Sequence, residues 1–185
     1  MCLRLPHGGL GVGGGMMAFR VVIAGRGGEG ILFVTRVLAE GAFRQGHPVI
    51  STETHGMAQR GGSVISQVKI GDFLSPMIRY GEADLLIATS EEEVARNLIY
   101  LRDGGKVIRD SRAGGPYDID ARGIAYELDH PRGANLVLLG FAIGELEGLK
   151  PGPFEEVITE LSPSRWTQKN LEAFRRGLLH RGPKG

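Results

Sequence analysis

Short apolar runs alternate along the chain with segments of helical periodicity. Phe19-Arg20-Val21-Val22-Ile23-Ala24 is apolar and β-branched, the mark of a buried strand. From Ile31 to about Gln45, the residues Ile31, Val34, Leu38 and Phe43 fall along one helical face, and Gly46 is a natural stop. Residues 49–51 predict a second strand. Residues 63–70 predict a third by strict alternation, Val64, Ser66, Val68 and Ile70 against Ser63, Ile65, Gln67 and Lys69. After a buried strand at 84–88, Ser90-Glu91-Glu92-Glu93 opens a helix as a capping box, with three carboxylates at the positive end of its dipole. Val94, Leu98 and Leu101 form its inner stripe and Asp103-Gly104-Gly105 ends it. Residues 106–109 and 123–128 predict two further strands, and 135–149 a buried apolar helix. Pro151-Gly152-Pro153 breaks the chain before 154–161, and 165–179 is the last helix. The alternation predicts an α/β fold, a three-layer Rossmann-like domain with a mostly parallel sheet.

Composition narrows the picture. The 185 residues suit one domain, placed at 19–185, with C-terminal helices from about 153. Glycine, at 30 residues, is about twice its usual share. Much of the excess lies in Gly8-Gly9-Leu10-Gly11-Val12-Gly13-Gly14-Gly15, so residues 1–18 are expected to be a disordered extension with too little apolar surface to order itself. With 22 Lys and Arg against 21 acids, no global attraction to nucleic acid or membrane is expected. No apolar run approaches the roughly 20 residues of a bilayer span, and no secretory signal follows Arg4, so a cytoplasmic location is expected. One cysteine, Cys2, excludes an internal disulfide and a cluster held by four thiolates, and the five histidines show no zinc-ligand spacing. Redox chemistry would therefore need an organic cofactor or another chain. The last segment carries Arg165, Lys169, Arg175, Arg176, Arg181 and Lys184 against Glu172 alone, either a solvated helix face or a docking surface for an acidic partner.

Two stretches are candidates for chemistry. Gly25-x-Gly27-x-x-Gly30, between a strand and a helix, matches the dinucleotide fingerprint, with Gly25, Gly27, Gly28 and Gly30 as cofactor-binding candidates. Glu53 could accept from a ribose, which gives one reading of the chain as a stand-alone NAD(P)-binding oxidoreductase. Glu29 opposes that reading, because its carboxylate would repel a diphosphate on the same amides. The second stretch is Glu53-Thr54-His55-Gly56-Met57-Ala58-Gln59-Arg60-Gly61-Gly62, where hydroxyl, imidazole, amide and guanidinium groups lie among three glycines. Core packing does not require that mixture; the readings are a binding or interface loop, or a turn built on glycines with solvated polar groups.

Thr-His-Gly-Met-Ala-Gln-Arg-Gly-Gly-Ser at 54–63 resembles the small subunits of indolepyruvate ferredoxin oxidoreductases, within the gamma-type domain family of 2-oxoacid:ferredoxin oxidoreductases. The likeness extends through Gly25–Gly30, Ser75-Pro76-Met77-Ile78, Gly81-Glu82-Ala83-Asp84-Leu85-Leu86, and Asn135 with Leu138-Leu139-Gly140, and covers roughly residues 19–145. Glu29 departs from the glutamine usual in the family, and Arg26 departs between the first glycines.

This resemblance implies an accessory subunit for oxidative decarboxylation of a 2-oxoacid, an arylpyruvate such as indolepyruvate, to an acyl-CoA with reduction of ferredoxin. It implies a large partner subunit bearing thiamine diphosphate and iron–sulfur clusters, with coenzyme A bound in the assembled complex and no cofactor held by this chain alone. Gly71-Asp72-Phe73 lacks the Gly-Asp-Gly opening of a thiamine motif. His55, Gln59 and Arg60 are the expected functional side chains, supporting the active site of the complex. Arg60 is suited to a carboxylate or phosphate, and His55 to donating to a substrate oxygen. Thr54, Gly56, Gly61 and Gly62 are expected to let the backbone approach a cofactor or partner closely.

Overall fold

Along residues 19–26 the side chains divide between two hydrophobic clusters, Val21 and Ile23 on one side and Val22 and Ala24 on the other. Burial on both faces makes this segment an inner strand. The computed structural model describes residues 2–3, 17–55 and 62–180. Among these, the strands are β1 (Cys2–Leu3), β2 (Phe19–Arg26), β3 (Val49–His55), β4 (Ser63–Ile70), β5 (Ala83–Ala88), β6 (Leu101–Asp110) and β7 (Asp118–Ile119). They form one sheet in the order β1-β3-β4-β2-β5-β6-β7. Pairings from β2 through β5 and β6 to β7 are parallel, while β4 runs antiparallel to both β2 and β3. β2, β3, β5, β6 and β7 therefore share one direction, as expected of a mostly parallel α/β sheet. The exception has a simple cause. The connection from β3 to β4 is far shorter than the dozen residues a parallel crossover needs, so the two strands form an antiparallel pair that slots β4 in beside β2.

The helices are α1 (Ile31–Phe43), α2 (Glu91–Asn97), α3 (Ala121–Glu127), α4 (Ala134–Glu145), α5 (Pro151–Leu161) and α6 (Ser164–Leu179). The larger cluster unites α1, α4, α5 and α6 with one face of the sheet. In α4, residues 135–143 are all buried, because the helix lies between the sheet and α6. The other face is thinner, covered by α2 and by Ile78 from the segment before β5. Ser90 caps α2 by accepting from the Glu93 amide at 3.3 Å. The fully buried Glu93 carboxylate turns to the Ser63 hydroxyl at 2.6 Å, tying α2 to the start of β4. Among the described residues, no helix is long and apolar enough to cross a membrane.

Several expectations need correction. Residues 123–128 are not a strand but the body of α3. Asp120 caps that helix by accepting from the Gly123 amide at 2.9 Å, and burial of Ala121 and Ala125 follows the helical period. Tyr126, which a strand would have used to cover a face of the sheet, is instead 70% exposed. α2 stops at Asn97, Leu98 is exposed, and Asp103-Gly104-Gly105 lies inside β6 rather than at a helix end. Pairing of Leu101 with Ala83 draws the chain into the sheet early. Pro151 and Pro153 do not precede α5 but occupy its first turn, where a missing N–H costs nothing. In the extension, Cys2 and Leu3 pair antiparallel with Ile50 and Val49, and residues 4–16 lie outside the described residues.

Cations of α6 are largely engaged internally: Lys169 with Asp129 at 2.8 Å, Arg175 with Glu155 at 2.6 Å and Arg176 with Glu127 at 2.7 Å. This favours a solvated, self-paired helix face over a docking surface; Arg181 and Lys184 lie outside the described residues.

At the far edge of the sheet Arg109 meets the buried Asp118 at 2.6 Å. The guanidinium hydrogen bond holds the Asp118 carboxyl below the usual carboxylate range, against the opposing effect of desolvation. The stabilisation is complete above the unfolded-chain value of about 3.9 and is lost as pH falls through the lower folded value. Asp118→Asn is expected to flatten this acid limb in urea midpoints measured from about pH 5 down to about pH 2. An unaltered limb contradicts the assignment.

Candidate functional site

The sheet has its topological switch point between β2 and β5. From β2 the chain passes through α1 toward β3 on one side, and from β5 through α2 to β6 on the other. Ligands in open α/β sheets bind outside the carboxyl ends of strands at such a point. A cavity of about 240 Å³ lies there, lined by the glycine turn, Thr89 after β5, Asp110 at the end of β6, Arg122 of α3 and the start of α4.

Gly25 and Gly30 show why the turn needs glycine. A Cβ on Gly25 would stand 2.5 Å from Ile31 Cδ1, and one on Gly30, already at φ +74°, would stand 2.4 Å from Asn135 Nδ2. Asn135 Nδ2 donates to the carbonyls of Glu29 at 2.9 Å and Gly30 at 3.2 Å, so α4 braces the turn directly.

Glu29 decides the electrostatics. Its Oε2 accepts from the Arg26 amide at 2.8 Å and the Thr89 hydroxyl at 2.5 Å, while Oε1 accepts from Arg122 at 3.2 Å. The anion that meets this turn is therefore the chain's own carboxylate. Arg26 extends outward to pair with Glu92. Arg122 also donates to the Thr89 carbonyl at 3.0 Å and approaches Asp110 at 3.3 Å, joining the ends of β2, β5 and β6. Burial pushes the Asp110 carboxyl up from its ordinary value, partly offset by the Arg122 amide and guanidinium. Glu29→Ala is expected to cost about 1–3 kcal/mol, the penalty for orphaning partly buried donors, whereas Glu29→Gln keeps one oxygen to accept from the Arg26 amide and the Thr89 hydroxyl and costs less. Urea denaturation checks the order; equal stability of Glu29→Ala and the parent refutes it.

The nicotinamide reading loses its acid. Exposed Glu53 sits on β3 opposite Ser66, and β4 stands between β3 and the turn strand β2, one interstrand spacing too far for the fingerprint.

Among the predicted side chains, those of Thr54 and His55, with all of Gly56, Gln59, Arg60 and Gly61, lie outside the described residues; the backbone of 54 and 55 ends β3. The far end of that loop is placed. The Gly62 carbonyl accepts from the Gly27 amide at 2.8 Å, so the 54–63 run returns to the glycine turn. The two stretches singled out in the sequence thus adjoin. Sequence reasoning missed Thr89, Asp110 and Arg122. The first two carried the signal of polar residues at strand ends, but Arg122 stood beside a segment read as a strand. His130, buried and bonded to Asn170 at 2.7 Å, is structural, and no cluster of three metal-ligating side chains occurs among the described residues.

Comparison with known proteins assigns the family. The model for pyruvate ferredoxin/flavodoxin oxidoreductase matches residues 20–179, nearly the whole chain. The chain belongs to this family. Within the family, the indolepyruvate oxidoreductase subunit IorB of Archaeoglobus fulgidus is 34% identical, across 87% of this chain and 94% of its own. The gamma subunit of a keto/oxoacid ferredoxin oxidoreductase from Geobacter sulfurreducens has the same fold, with a TM-score of 0.72 at 22% identity over 86% of this chain and 95% of its own. A 2-oxoglutarate:ferredoxin oxidoreductase from Magnetococcus marinus, solved with 2-oxoglutarate, coenzyme A and succinyl-CoA bound, matches at 25% identity and a TM-score of 0.72 over 87% of this chain but only 30% of its own length. In this family the fold thus occurs both as a small subunit and as one part of a longer chain.

Proposed function

We propose that this chain is the small subunit of a cytoplasmic 2-oxoacid:ferredoxin oxidoreductase acting on an arylpyruvate, with indolepyruvate the leading substrate. The observation carrying this reading is the likeness to an indolepyruvate oxidoreductase subunit over 87% of this chain, which agrees with the resemblance carried by the run 54–63. The expected net reaction is decarboxylation of the 2-oxoacid and transfer of its acyl group to coenzyme A, with two electrons leaving singly to ferredoxin.

The chain's own residues do not fit the redox groups. One cysteine cannot furnish a cluster's thiolates, and Gly71-Asp72-Phe73 is a turn after β4 whose first amide donates to Pro48. Thiamine diphosphate and the clusters are therefore assigned to a large partner subunit. This chain's part is positional. Arg60 would neutralise a carboxylate or phosphate by paired hydrogen bonds, His55 would donate to a substrate oxygen, and Gln59 would hold the neighbouring polar group. The glycines at 25, 27, 28, 30, 56, 61 and 62, with Thr54, would let the backbone close over the bound coenzyme or partner.

A subunit role also agrees with the thin face of the sheet. Met77, Tyr80, Leu98 and Ile99 are exposed there, and Tyr80 meets Tyr100 edge-on at 5.1 Å while the Gly81 amide donates to the Ile99 carbonyl. Contiguous apolar surface of this kind is normally covered by a partner. The test is co-expression with the thiamine-binding large subunit of the same enzyme. Co-elution through affinity and size-exclusion steps is expected; separate elution overturns the reading.

A further inference from the structure

Beyond any part in the oxidoreductase reaction, the geometry points to a second binding site, a pocket held by His130 for a neutral, planar aromatic molecule with one N–H or O–H donor. A cavity of about 180 Å³, open to solvent, lies where α1, α4 and α6 approach one another. Gly30 and Asn135 line both this cavity and the one at the switch point, so an occupant would sit beside the glycine turn.

His130 supplies an acceptor. It is 5% exposed, and the bond that gives it a structural part also settles which nitrogen it offers. Asn170 Nδ2 donates to the Ser162 hydroxyl at 2.8 Å, so Asn170 Oδ1 faces the imidazole and accepts from Nε2 at 2.7 Å. With the proton on Nε2, the neutral ring carries its lone pair on Nδ1. The Nε2–Cδ2 edge is occupied by Asn170 and by Gly133, where an added Cβ would stand 2.6 Å from Cδ2. Nδ1 has no hydrogen-bond partner among the described residues. Among those residues the side-chain polar atoms both enclosed and unpartnered are Ser66 Oγ and Asn135 Oδ1, so Nδ1 reaches accessible surface. His130 lines the cavity, and Nδ1 is the acceptor it offers an occupant.

Shape and polarity choose the rest. Trp166 stacks on His130 with ring centroids 5.0 Å apart and 23° between the planes, and Phe33, Leu136 and Pro163 complete an apolar wall. The two amides of the lining direct their N–H groups into the protein, Asn170 to Ser162 and Asn135 to the carbonyls of Glu29 and Gly30. Arg132, the charged residue of the lining, is exposed and keeps its charge in water. An occupant therefore gains from an apolar ring and from one donor, and not from a charge. An apolar cavity of about 150 Å³ holds benzene. At about 180 Å³ this one suits a single or small fused ring and is too small for a nucleotide.

Calorimetric titration of the full chain with indole tests the site, with indene, which has the same shape but no N–H, as the comparator. One indole is expected to bind per chain, and indene roughly tenfold more weakly because it leaves Nδ1 without a donor. Trp166 is the chain's only tryptophan, so a saturable change in its fluorescence is expected when phenol fills the cavity. His130→Phe keeps a ring against Trp166 and removes the acceptor; once circular dichroism shows it folded, it is expected to bind indole and indene alike. Phe33→Ala, at a half-buried wall position, is the second arm and is expected to weaken both ligands by the same several-fold factor. Absence of indole binding overturns the proposal, as does indene binding as tightly as indole, or phenol leaving the fluorescence of Trp166 unchanged. A folded His130→Phe chain that still prefers indole, or a Phe33→Ala chain that binds indole unchanged, overturns it equally. Each measurement uses this chain alone, so the result is independent of co-elution with the large subunit.

Discussion

Gly177→Val is expected to prevent folding of the chain or to remove several kcal/mol of stability. At Gly177 an added Cβ would stand 1.9 Å from the Val137 carbonyl oxygen, and at Gly140 on the facing helix it would stand 2.0 Å from the Phe174 oxygen. Backbone meets backbone at this crossing of α4 and α6, so no side chain can turn aside to make room. Overpacking of a core by side chains alone typically costs about 1–3 kcal/mol, and a clash with main chain on a fully buried helix exceeds that. Gly152→Ala is the control, since a Cβ there meets nothing within 4 Å. Circular dichroism and urea midpoints of the two variants decide the matter; a Gly177→Val chain as stable as the parent refutes the packing described for α4.

Arg60→Ala carries the largest expected effect on activity. In the assembled enzyme, turnover is expected to fall by roughly tenfold or more, equivalent to at least about 1.4 kcal/mol of transition-state stabilisation. The complex is expected to form normally, since the substitution removes one charge from a glycine-rich stretch. Arg60→Lys, which keeps the charge but not the paired geometry, is expected to recover part of the rate. Full activity of Arg60→Ala within an intact complex removes Arg60 from the site.

How far the sequence could be read depended on the range of the interactions involved. Ser63–Ile70 and the core of β2 were legible because alternation and β-branching are local signals, even though both strands are buried on both faces. The glycine turn was legible as a motif, but its occupant was not. Glu29 suggested repulsion of a phosphate, whereas its actual partners, Thr89 and Arg122, come from β5 and α3, which no spacing rule connects to residue 29. The placement of β4 between β2 and β3 was equally hidden, since it is a choice among long-range pairings. Residues 123–128 failed for a different reason: Ile and Tyr carry strand propensity, and a single Asp120 cap with two buried alanines overrode it. Leu98 looked like the next position of a helical stripe, yet β6 begins three residues later and leaves it in solvent.

The division of labour proposed here leaves the polar loop and its glycine-rich neighbour on this chain and the electron carriers on another. Oxidative decarboxylation of indolepyruvate, followed with coenzyme A and a one-electron acceptor, measures that division directly in the isolated chain and in its complex with the large subunit. Activity is expected only in the complex. Turnover by the chain alone, with a redox centre it holds itself, would contradict the proposal.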